Sequence, residues 1–366
     1  MRQEQLDPTP LTGPANGSAS EGGPREPTDQ GTRGGSSALP VSGALVAVAL
    51  GIVYVVWGST YLAIRVVVED LPALSSAGWR FGLAGIIMLT VLALRSGRRR
   101  LRVSRPELLG CALMGLLRPT LGNGLVSVAE QHGAPSGMAA LIVAAVPLWI
   151  IVFRRASGDR PNRRTTLGVL LGFAGLTGLV AASGLGGDVP LGACLVIVVA
   201  TTCWAFGSWS TSRIRLPKDA FVMTGYEMLF GGFWLLTGGL VTGEDVIPQS
   251  APIEAWLGWA YLVVFGSLVA FTSYVWLLST APISLVATYA YVNPIVAVFL
   301  GWLILSEPVT LPIVLGGAVV VAAVAVVVAA ERPTKPAPGS VTLSRDEDRG
   351  LAVQPAAPAA GTGQAS

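Results

Sequence analysis

Charged residues are scarce in this sequence. Asp, Glu, Lys and Arg together account for 12% of the 366 residues, Lys occurs only as Lys218 and Lys335, and there is one histidine. A water-soluble fold of this length covers its surface with far more charge than that. Apolar residues make up 52% of the chain, and the mean hydropathy is +0.63. The composition therefore excludes an ordinary soluble protein and indicates a chain that folds in lipid.

Cysteines and catalytic clusters are also scarce. The three cysteines, Cys111, Cys194 and Cys203, fall inside apolar runs without a C-x-x-C or Cys/His pattern, so neither a disulfide framework nor a zinc site is predicted. A membrane-embedded enzyme would need acid and base groups clustered at one membrane face, and the scattered carboxylates do not provide them. No Walker loop is present, which disfavours ATP-driven transport. We predict no catalytic residue, no metal and no cofactor.

Long apolar runs occupy the middle of the chain. Residues 1–40 and 331–366 are polar and are predicted to be disordered tails. Between them lie ten continuously apolar runs of about 20 residues, each long enough to cross ~30 Å of hydrocarbon as a helix. The predicted spans are 43–66, 73–95, 107–129, 134–153, 166–184, 190–211, 220–241, 255–279, 283–305 and 311–330.

Basic residues are placed asymmetrically between these spans. The gaps after spans 2, 4 and 6 carry clusters of Arg, whereas alternate gaps carry acidic pairs such as Glu69-Asp70 and Glu244-Asp245. Positive charge marks the cytoplasmic side, so both termini are predicted to be cytoplasmic. Because this bias accounts for the net charge of +3, no nucleic-acid partner is predicted. The chain is rich in Ala, Gly and Arg, which favours a bacterial source.

A shift of 147 residues aligns one half of the chain with the other. It brings Trp57 onto Trp204 and three prolines of the first half onto prolines of the second: Pro135 onto Pro282, Pro147 onto Pro294 and Pro161 onto Pro308. Chance similarity between apolar segments does not readily align one tryptophan and three prolines without a gap. The predicted repeats are residues 43–184 and 190–330, with five spans in each.

Five is an odd number, so the second repeat must enter the membrane from the opposite face. The predicted fold class is an all-α polytopic membrane protein with ten transmembrane helices in two inverted five-helix repeats. Inverted repeats are typical of alternating-access transporters, whose binding site lies near the midplane between the repeats. A duplication that only builds a stable bundle is the alternative.

Several short motifs resemble one known family. They are Trp57-Gly58-Ser59-Thr60-Tyr61, Gly122-Asn123-Gly124, Ala129-Glu130, Pro135-Ser136-Gly137, Trp204-Ala205-Phe206-Gly207-Ser208 and Tyr289-Ala290-Tyr291-Val292-Asn293-Pro294. Their order and spacing over residues 43–330 resemble the EamA-type drug/metabolite transporter superfamily, and most of all its YedA-like exporter subgroup. The resemblance implies two EamA repeats, a central cavity and secondary-active export of small metabolites or drugs. Arg118 departs from the family pattern, so the substrates of relatives do not transfer directly to this chain.

Four ionisable residues are candidates for coupling or for ion pairs. Arg80 and Glu227 are 147 residues apart, and both approach the midplane, where they can form an ion pair or a shared polar network. Glu227 is then a candidate proton carrier, and a static salt bridge that fixes helix packing is the alternative. Arg118 can bind a substrate carboxylate, or it can pair with Glu130 or Glu227.

A second group of residues is predicted to line a substrate cavity. Trp57 and Trp204 can form symmetric aromatic walls, with interfacial anchoring or helix packing as the alternative. Pro147 and Pro294 interrupt spans 4 and 9 at the same repeat position, which predicts a hinge or a fixed bend. The remaining candidates put polar groups into apolar helices, where each needs a hydrogen-bond partner: Ser59, Asn123, Ser208, Tyr274, Tyr289, Tyr291 and Asn293.

These features predict a proton-coupled, secondary-active exporter of small organic metabolites or drugs, amino-acid-like or amphiphilic, that works by alternating access. A passive facilitator or channel has the same composition and is the main alternative, ahead of an enzyme acting on lipid-linked substrates. The expected partners are a small-molecule substrate, the lipid bilayer and protons, for a monomer or homodimer. The expected location is the bacterial plasma (cytoplasmic) membrane.

Overall fold

The computed structural model describes residues 43–185, 189–246, 250–281, 283–286 and 288–330. The two predicted tails and Pro282, one of the repeat-paired prolines, lie outside the described residues. Where the structure describes the chain, it is helical and contains no strand. An all-helical fold, as predicted, is therefore confirmed.

Fourteen α-helices follow one another in the described ranges. They are α1 (Gly43–Asp70), α2 (Ala73–Ser96), α3 (Arg105–Gly115), α4 (Leu125–Gln131), α5 (Ser136–Val143), α6 (Val146–Ala156), α7 (Arg163–Leu185), α8 (Leu191–Ser210), α9 (Ala220–Thr242), α10 (Ile253–Tyr261), α11 (Ala270–Thr280), α12 (Ile283–Val286), α13 (Tyr289–Leu305) and α14 (Leu311–Ala330). A short 3-10 turn, Arg98–Leu101, precedes α3.

Polar side chains determine where some of these helices begin. Ser104 stands before α3, and its backbone N–H and hydroxyl both donate to the Glu107 carboxylate at 2.7 Å. Asp219 stands before α9 and accepts hydrogen bonds from the amides of Phe221 and Val222 at 3.0 and 3.3 Å. These contacts satisfy amides that have no partner within the helix.

In the part of the chain that the structure describes, seven helical segments are long and apolar enough to cross a membrane: Gly43–Asp70, Ala73–Ser96, Ser136–Ala156, Arg163–Ala182, Leu191–Ser210, Ile253–Leu277 and Leu311–Ala330. Large apolar side chains on these helices are exposed, among them Leu94 (82%) and Leu311 (68%). Such a surface suits lipid and not water. The multi-pass prediction is confirmed in this coarser form: within the described ranges, seven of the ten predicted spans correspond to such a helix.

The other three predicted spans differ from the seven in length or polarity. The segment 105–131 includes Arg118 and Glu130, and α9 includes Glu227 and five glycines. The third, α13, is apolar but has 17 residues. Polar groups inside a span lower its hydropathy, and these groups are also the ones for which the sequence suggests a function.

Two π-helical stretches lie at matching positions in the two halves. Leu116–Gly124 joins α3 to α4, and Leu262–Val269 joins α10 to α11. Shifted by 147 residues, the first stretch covers 263–271 and so overlaps the second. A π-helix adds a residue to a turn and rotates the helix face that follows it, and such stretches are frequent at functional sites.

Glycines allow the two repeat-related helices α2 and α9 to pack closely against each other. A Cβ on Gly232 would lie 2.5 Å from the amide nitrogen of Gly82. A Cβ on Gly85 would lie 2.8 Å from the amide nitrogen of Leu229. Gly85 and Gly232 are themselves 147 residues apart, so the same device serves both helices.

Other helix contacts also occur in matched pairs. α7 packs against α14, its counterpart under the 147-residue shift. α1 packs against α13, and α8 packs against α6, which is the same contact with the halves exchanged. The pattern is the one expected of two similar units related by a two-fold exchange.

Contacts between helix ends connect loops that the charge pattern assigns to the same side of the membrane. The Ser75 amide, near the start of predicted span 2, donates to Glu244 in the gap after span 7 at 2.8 Å. The Ser136 amide, near the start of predicted span 4, donates to Glu307 in the gap after span 9 at 2.8 Å. Helix ends next to the gaps after odd-numbered spans therefore contact each other. Arg100 meets Asp219 at 2.7 Å, which joins the gaps after predicted spans 2 and 6. This grouping agrees with the alternation of the predicted spans.

Candidate functional site

A cavity of about 140 Å³ lies at the centre of the helices. Both repeats and both π-helical stretches contribute to its wall. The lining residues are Trp57, Thr60, Tyr61, Arg80, Phe81, Gly122, Asn123, Val126, Ala140, Val143, Ala144, Val146, Pro147, Ala200, Thr201, Trp204, Met228, Gly266, Ser267, Phe271, Tyr289, Ala290, Asn293 and Pro294.

Ten of these residues form pairs that are 147 positions apart. The pairs are Trp57/Trp204, Phe81/Met228, Val143/Ala290, Val146/Asn293 and Pro147/Pro294. Matching positions of the two repeats therefore line one shared space. Val146 is apolar whereas its counterpart Asn293 is polar, so the two halves of the wall differ in polarity at this position.

One wall of the cavity is aromatic. The Trp57 indole N–H donates to the carbonyl of Gly266 at 3.2 Å, which fixes the ring. Its ring centroid lies 5.3 Å from that of Tyr289 in an edge-to-face arrangement and 6.3 Å from that of Phe271. Aromatic groups held at these distances stabilise one another and present an apolar face to a ligand.

The polar part of the wall is built around Arg80. Its side chain is on α2 and is 5% exposed. The Nε atom donates to the Ser267 hydroxyl at 3.0 Å, and Nη1 donates to the Asn123 amide oxygen at 3.5 Å. The guanidinium also lies 4.7 Å from the ring centroid of Phe81. Both hydrogen-bond partners are neutral and belong to the two π-helical stretches.

Two predicted cavity residues, Ser59 and Ser208, lie off the cavity wall. Ser59 bonds to the Tyr261 hydroxyl at 2.6 Å, and Ser208 donates to the carbonyl of Trp204 at 2.8 Å. Ser59 is two residues from Trp57, which places it on the other side of a helix with 3.6 residues per turn. The hydroxyls of both serines are satisfied inside the helix bundle without a ligand.

Two predicted tyrosines also lie outside the wall. Tyr274 packs behind Trp57, with ring centroids 5.0 Å apart, and so supports a lining residue instead of lining the cavity itself. Tyr291 packs against the apolar cluster formed around Met138 and Ile142. Among the predicted cavity residues, the structure brings Trp57, Asn123, Trp204, Tyr289 and Asn293 together at the wall.

The ion pair inside the bundle joins Arg118 to Glu227. The Arg118 Nη2 atom lies 2.6 Å from the Glu227 carboxylate, and the two side chains are 15% and 7% exposed. Arg80, which the repeat pairs with Glu227, instead points toward the second π-helical stretch. Of the alternatives that the sequence leaves open, the Arg118–Glu227 pair is formed and the Arg80–Glu227 pair is not.

Glu130 is a buried carboxylate without a hydrogen-bond partner. Its side chain is 0% exposed, and among the described residues neither Oε1 nor Oε2 receives a hydrogen bond. Arg65 donates to the backbone carbonyl of Glu130 and not to its carboxylate. The charged groups that act on it electrostatically are Arg65 and Glu307. Glu307 is itself held by the amides of Ser136 and Gly137 at 2.8 and 3.2 Å.

The two prolines predicted as hinges differ in their surroundings. Pro147 stands in the first turn of α6, directly after the break between α5 and α6 at residues 144–145, whereas Pro294 lies inside α13. Proline has no N–H, so neither can donate to the carbonyl four residues earlier, that of Val143 or Ala290. Both of those residues line the cavity.

Several lining residues are not among the cavity residues predicted from the sequence. Thr60 and Tyr61 follow Trp57 by three and four positions, and Thr201 precedes Trp204 by three. Helical spacing from a tryptophan already chosen would have found them. No sequence signal distinguishes Ser267, which reaches the cavity through the local geometry of a π-helical stretch.

Comparison with known proteins shows the family to which the chain is related. The model of the EamA-like transporter family matches the chain twice, over residues 42–181 and 191–329. The uncharacterized inner membrane transporter YedA of Escherichia coli K12 is 42% identical over 264 residues, covering 72% of this chain and 82% of that protein. The uncharacterized transporter YvbV of Bacillus subtilis is 26% identical over 285 residues, covering 77% of this chain and 90% of its own length.

A solved structure shares the fold, with a TM-score of 0.55 and 18% sequence identity. The alignment covers 80% of this chain and 100% of the chain in that structure. The apolar helices and the central cavity already define a multi-pass membrane protein with an internal binding space. The chain belongs to the EamA-like transporter family. The resemblance inferred from the sequence motifs is thereby confirmed.

Proposed function

We propose that this protein is a secondary-active transporter that exports small organic molecules across a bacterial inner membrane. The substrate binds in the central cavity, and the two repeats move relative to each other to open that cavity to one side at a time. The observation that carries the proposal is the cavity wall, to which five repeat-related residue pairs contribute. A site between two related halves is the arrangement on which alternating access depends.

Ten helices in two inverted repeats are part of this proposal. To the seven apolar spans we add the segment 105–131, α9 and α13, which gives five crossings in each of the stretches matched by the family model. The matched π-helical stretches, the α2–α9 contact and the α7–α14 contact support a two-fold relation. With five crossings each, we infer that the repeats are inverted, and the arginine-rich gaps support a cytoplasmic location for both termini.

We further propose that transport is coupled to protons and that Glu130 carries the coupling proton. Glu227 is the candidate suggested by the sequence, but its carboxylate is 2.6 Å from Arg118, a contact that favours the ionised state. Among the described residues the Glu130 carboxylate has no such close contact, since Arg65 donates only to its backbone carbonyl, and a buried carboxylate without a hydrogen bond is costly to ionise. Binding a proton at Glu130 is therefore favourable in this conformation, and a movement that exposes it would release the proton.

The relatives and the family carry the names of transporters, so we propose transport and not catalysis. Direction follows from the resemblance to exporters. A passive facilitator would use the same cavity, but it has no need of a buried carboxylate that changes its protonation state during the cycle.

Purified protein in proteoliposomes tests this function. With an imposed pH gradient, the wild type is expected to accumulate a substrate against its concentration gradient, and a protonophore is expected to abolish the accumulation. The Glu130→Gln variant is expected to exchange substrate across the membrane without accumulating it. Equilibration without accumulation in the wild type would favour the facilitator. Accumulation by Glu130→Gln at the wild-type rate would exclude Glu130 as the carrier.

A further inference from the structure

We propose that Arg80 binds the carboxylate of the substrate, so that this transporter takes small organic monocarboxylates whose remaining part is apolar. The inference rests on the proposed role of the cavity as the substrate site. It assigns a specific residue to that site and a charge to its ligand.

Arg80 is a buried cation without a counter-charge. Its side chain is 5% exposed, and no carboxylate of the described residues lies within ion-pair distance of it. Arg118, a second arginine inside the bundle, is compensated by Glu227. Buried charges in membrane proteins are nearly always paired, and they mark ligand or ion pathways when they are not. The missing negative charge can be supplied by a ligand in the cavity that Arg80 lines.

The guanidinium has free donors for such a ligand. It carries five N–H groups. Nε is used by Ser267, and one N–H of Nη1 is used by Asn123 in a weak contact of 3.5 Å. Within the part of the chain that the structure describes, the remaining N–H groups have no acceptor. A carboxylate can accept two parallel hydrogen bonds from a guanidinium, which gives both affinity and a fixed orientation. The Ser267 and Asn123 contacts hold the guanidinium in place for that pairing.

The rest of the wall limits what is attached to the carboxylate. Trp57, Tyr289 and Phe271 form an aromatic surface, and Trp204 lines the cavity from the other repeat. A volume of about 140 Å³ is similar to that of apolar cavities of ~150 Å³ that hold a benzene ring. One carboxylate and one compact apolar group therefore match the site. A cationic ligand does not, because it would lie beside an uncompensated guanidinium.

Binding to purified protein in detergent tests the inference separately from transport. The probes are small monocarboxylates, including benzoate, phenylacetate and isovalerate, each compared with its primary amide, and benzylamine as a cation. Trp57 and Trp204 line the cavity, so quenching of tryptophan fluorescence reports binding directly. In the wild type, at least one carboxylate is expected to bind roughly 10- to 100-fold more tightly than its amide, the ratio that a charge-assisted bidentate contact supplies.

Variants connect this preference to Arg80. Arg80→Gln is expected to remove the preference for carboxylate over amide, and Arg80→Lys is expected to keep it in weaker form because the ammonium cannot pair bidentately. Arg164→Gln, which removes the same charge from an exposed position on α7, is expected to behave as the wild type. If Arg80→Gln does not fold, the wild type and Arg80→Lys still provide the comparison.

Three results would overturn the inference. The first is that the wild type binds the amides or benzylamine as tightly as the carboxylates, or more tightly. The second is that Arg80→Gln and Arg80→Lys keep the preference for carboxylates unchanged. The third is that no carboxylate binds. A carboxylate that binds through Arg80 but is not moved across proteoliposomes would contradict the transport function instead.

Discussion

The partly buried pair between Arg118 and Glu227 provides the sharpest prediction about stability. The two charges are 2.6 Å apart, and their side chains are 15% and 7% exposed. Glu227→Gln leaves the Arg118 cation uncompensated, and the Nε atom of Arg118 already has no hydrogen-bond partner among the described residues. Breaking a buried pair from one side costs about 3–5 kcal/mol. We expect about 3 kcal/mol, at the lower end of that range, because Gln keeps one acceptor for Arg118.

The double variant Arg118→Met/Glu227→Gln separates the pair from its parts. It removes both charges, and neutral replacements of a buried pair often cost little. We therefore expect it to be more stable than Glu227→Gln alone, with an interaction free energy of roughly 2 kcal/mol in the double-mutant cycle. Unfolding in detergent, followed by heating and by titration with SDS, measures each free-energy difference.

A comparison variant tests the geometry of this pair. The 147-residue repeat associates Glu227 with Arg80, whereas the structure associates it with Arg118. If Arg80→Gln/Glu227→Gln regains stability and Arg118→Met/Glu227→Gln does not, the assignment of the pair is wrong. Wild-type stability of Glu227→Gln alone would show that the pair contributes nothing.

Three further predictions concern packing, acid stability and topology. Gly232→Ala forces a methyl group against the Gly82 backbone, so it is expected to lower the free energy of unfolding by about 1–3 kcal/mol, measured by thermal unfolding. The control Gly178→Ala adds a methyl group in open space on α7, so it is expected to leave that free energy unchanged or to raise it by up to ~1 kcal/mol. Although partial burial opposes it, hydrogen bonds from Arg100 and from the amides of Val222 and Phe221 hold the pKa of Asp219 below its ordinary 3.8. The stability that this lowered pKa contributes is present above pH 3.8 and is lost as the pH falls through the lower pKa of the folded state. The melting temperature of Asp219→Asn is therefore expected to fall less on acidification than that of the wild type. An equal fall in both proteins would contradict this. In a cysteine-free background, Thr242→Cys is expected to react with an impermeant thiol reagent added outside intact cells, and Ser157→Cys is expected not to react. Labelling of Ser157→Cys would reverse the proposed orientation. These two positions are chosen because the neighbouring Gly243 and Gly158 have positive φ angles, which disfavour cysteine.

The sequence was sufficient for those features that depend on repetition. Trp57 and Trp204 were identified by a shift of 147 residues, and both line the cavity, as do Pro147 and Pro294. A residue repeated at the same place in two similar units faces the same environment in each. Repetition therefore located the wall without any knowledge of how the helices are rotated.

The sequence was insufficient where the direction of a side chain depends on local helix geometry. Arg118 lies in a π-helical stretch, which rotates the following face away from the 3.6-residue period. Its pairing with Glu227 is one of the alternatives that the sequence leaves open, and helical periodicity alone does not select it. Nor does periodicity reveal that Glu130 is fully buried, because it lies at the end of a predicted span, where water is usually close by.

The central claim is that the cavity between the repeats opens to each side of the membrane in turn, and Thr201 offers the most direct test. Thr201 lines the cavity on α8 and is 1% exposed. In a background without Cys111, Cys194 and Cys203, Thr201→Cys is expected to react with an impermeant thiol reagent in right-side-out and in inside-out vesicles alike. A bound substrate is expected to slow the reaction from both sides. Reaction from one side only, under every substrate and pH condition, would contradict alternating access through this cavity.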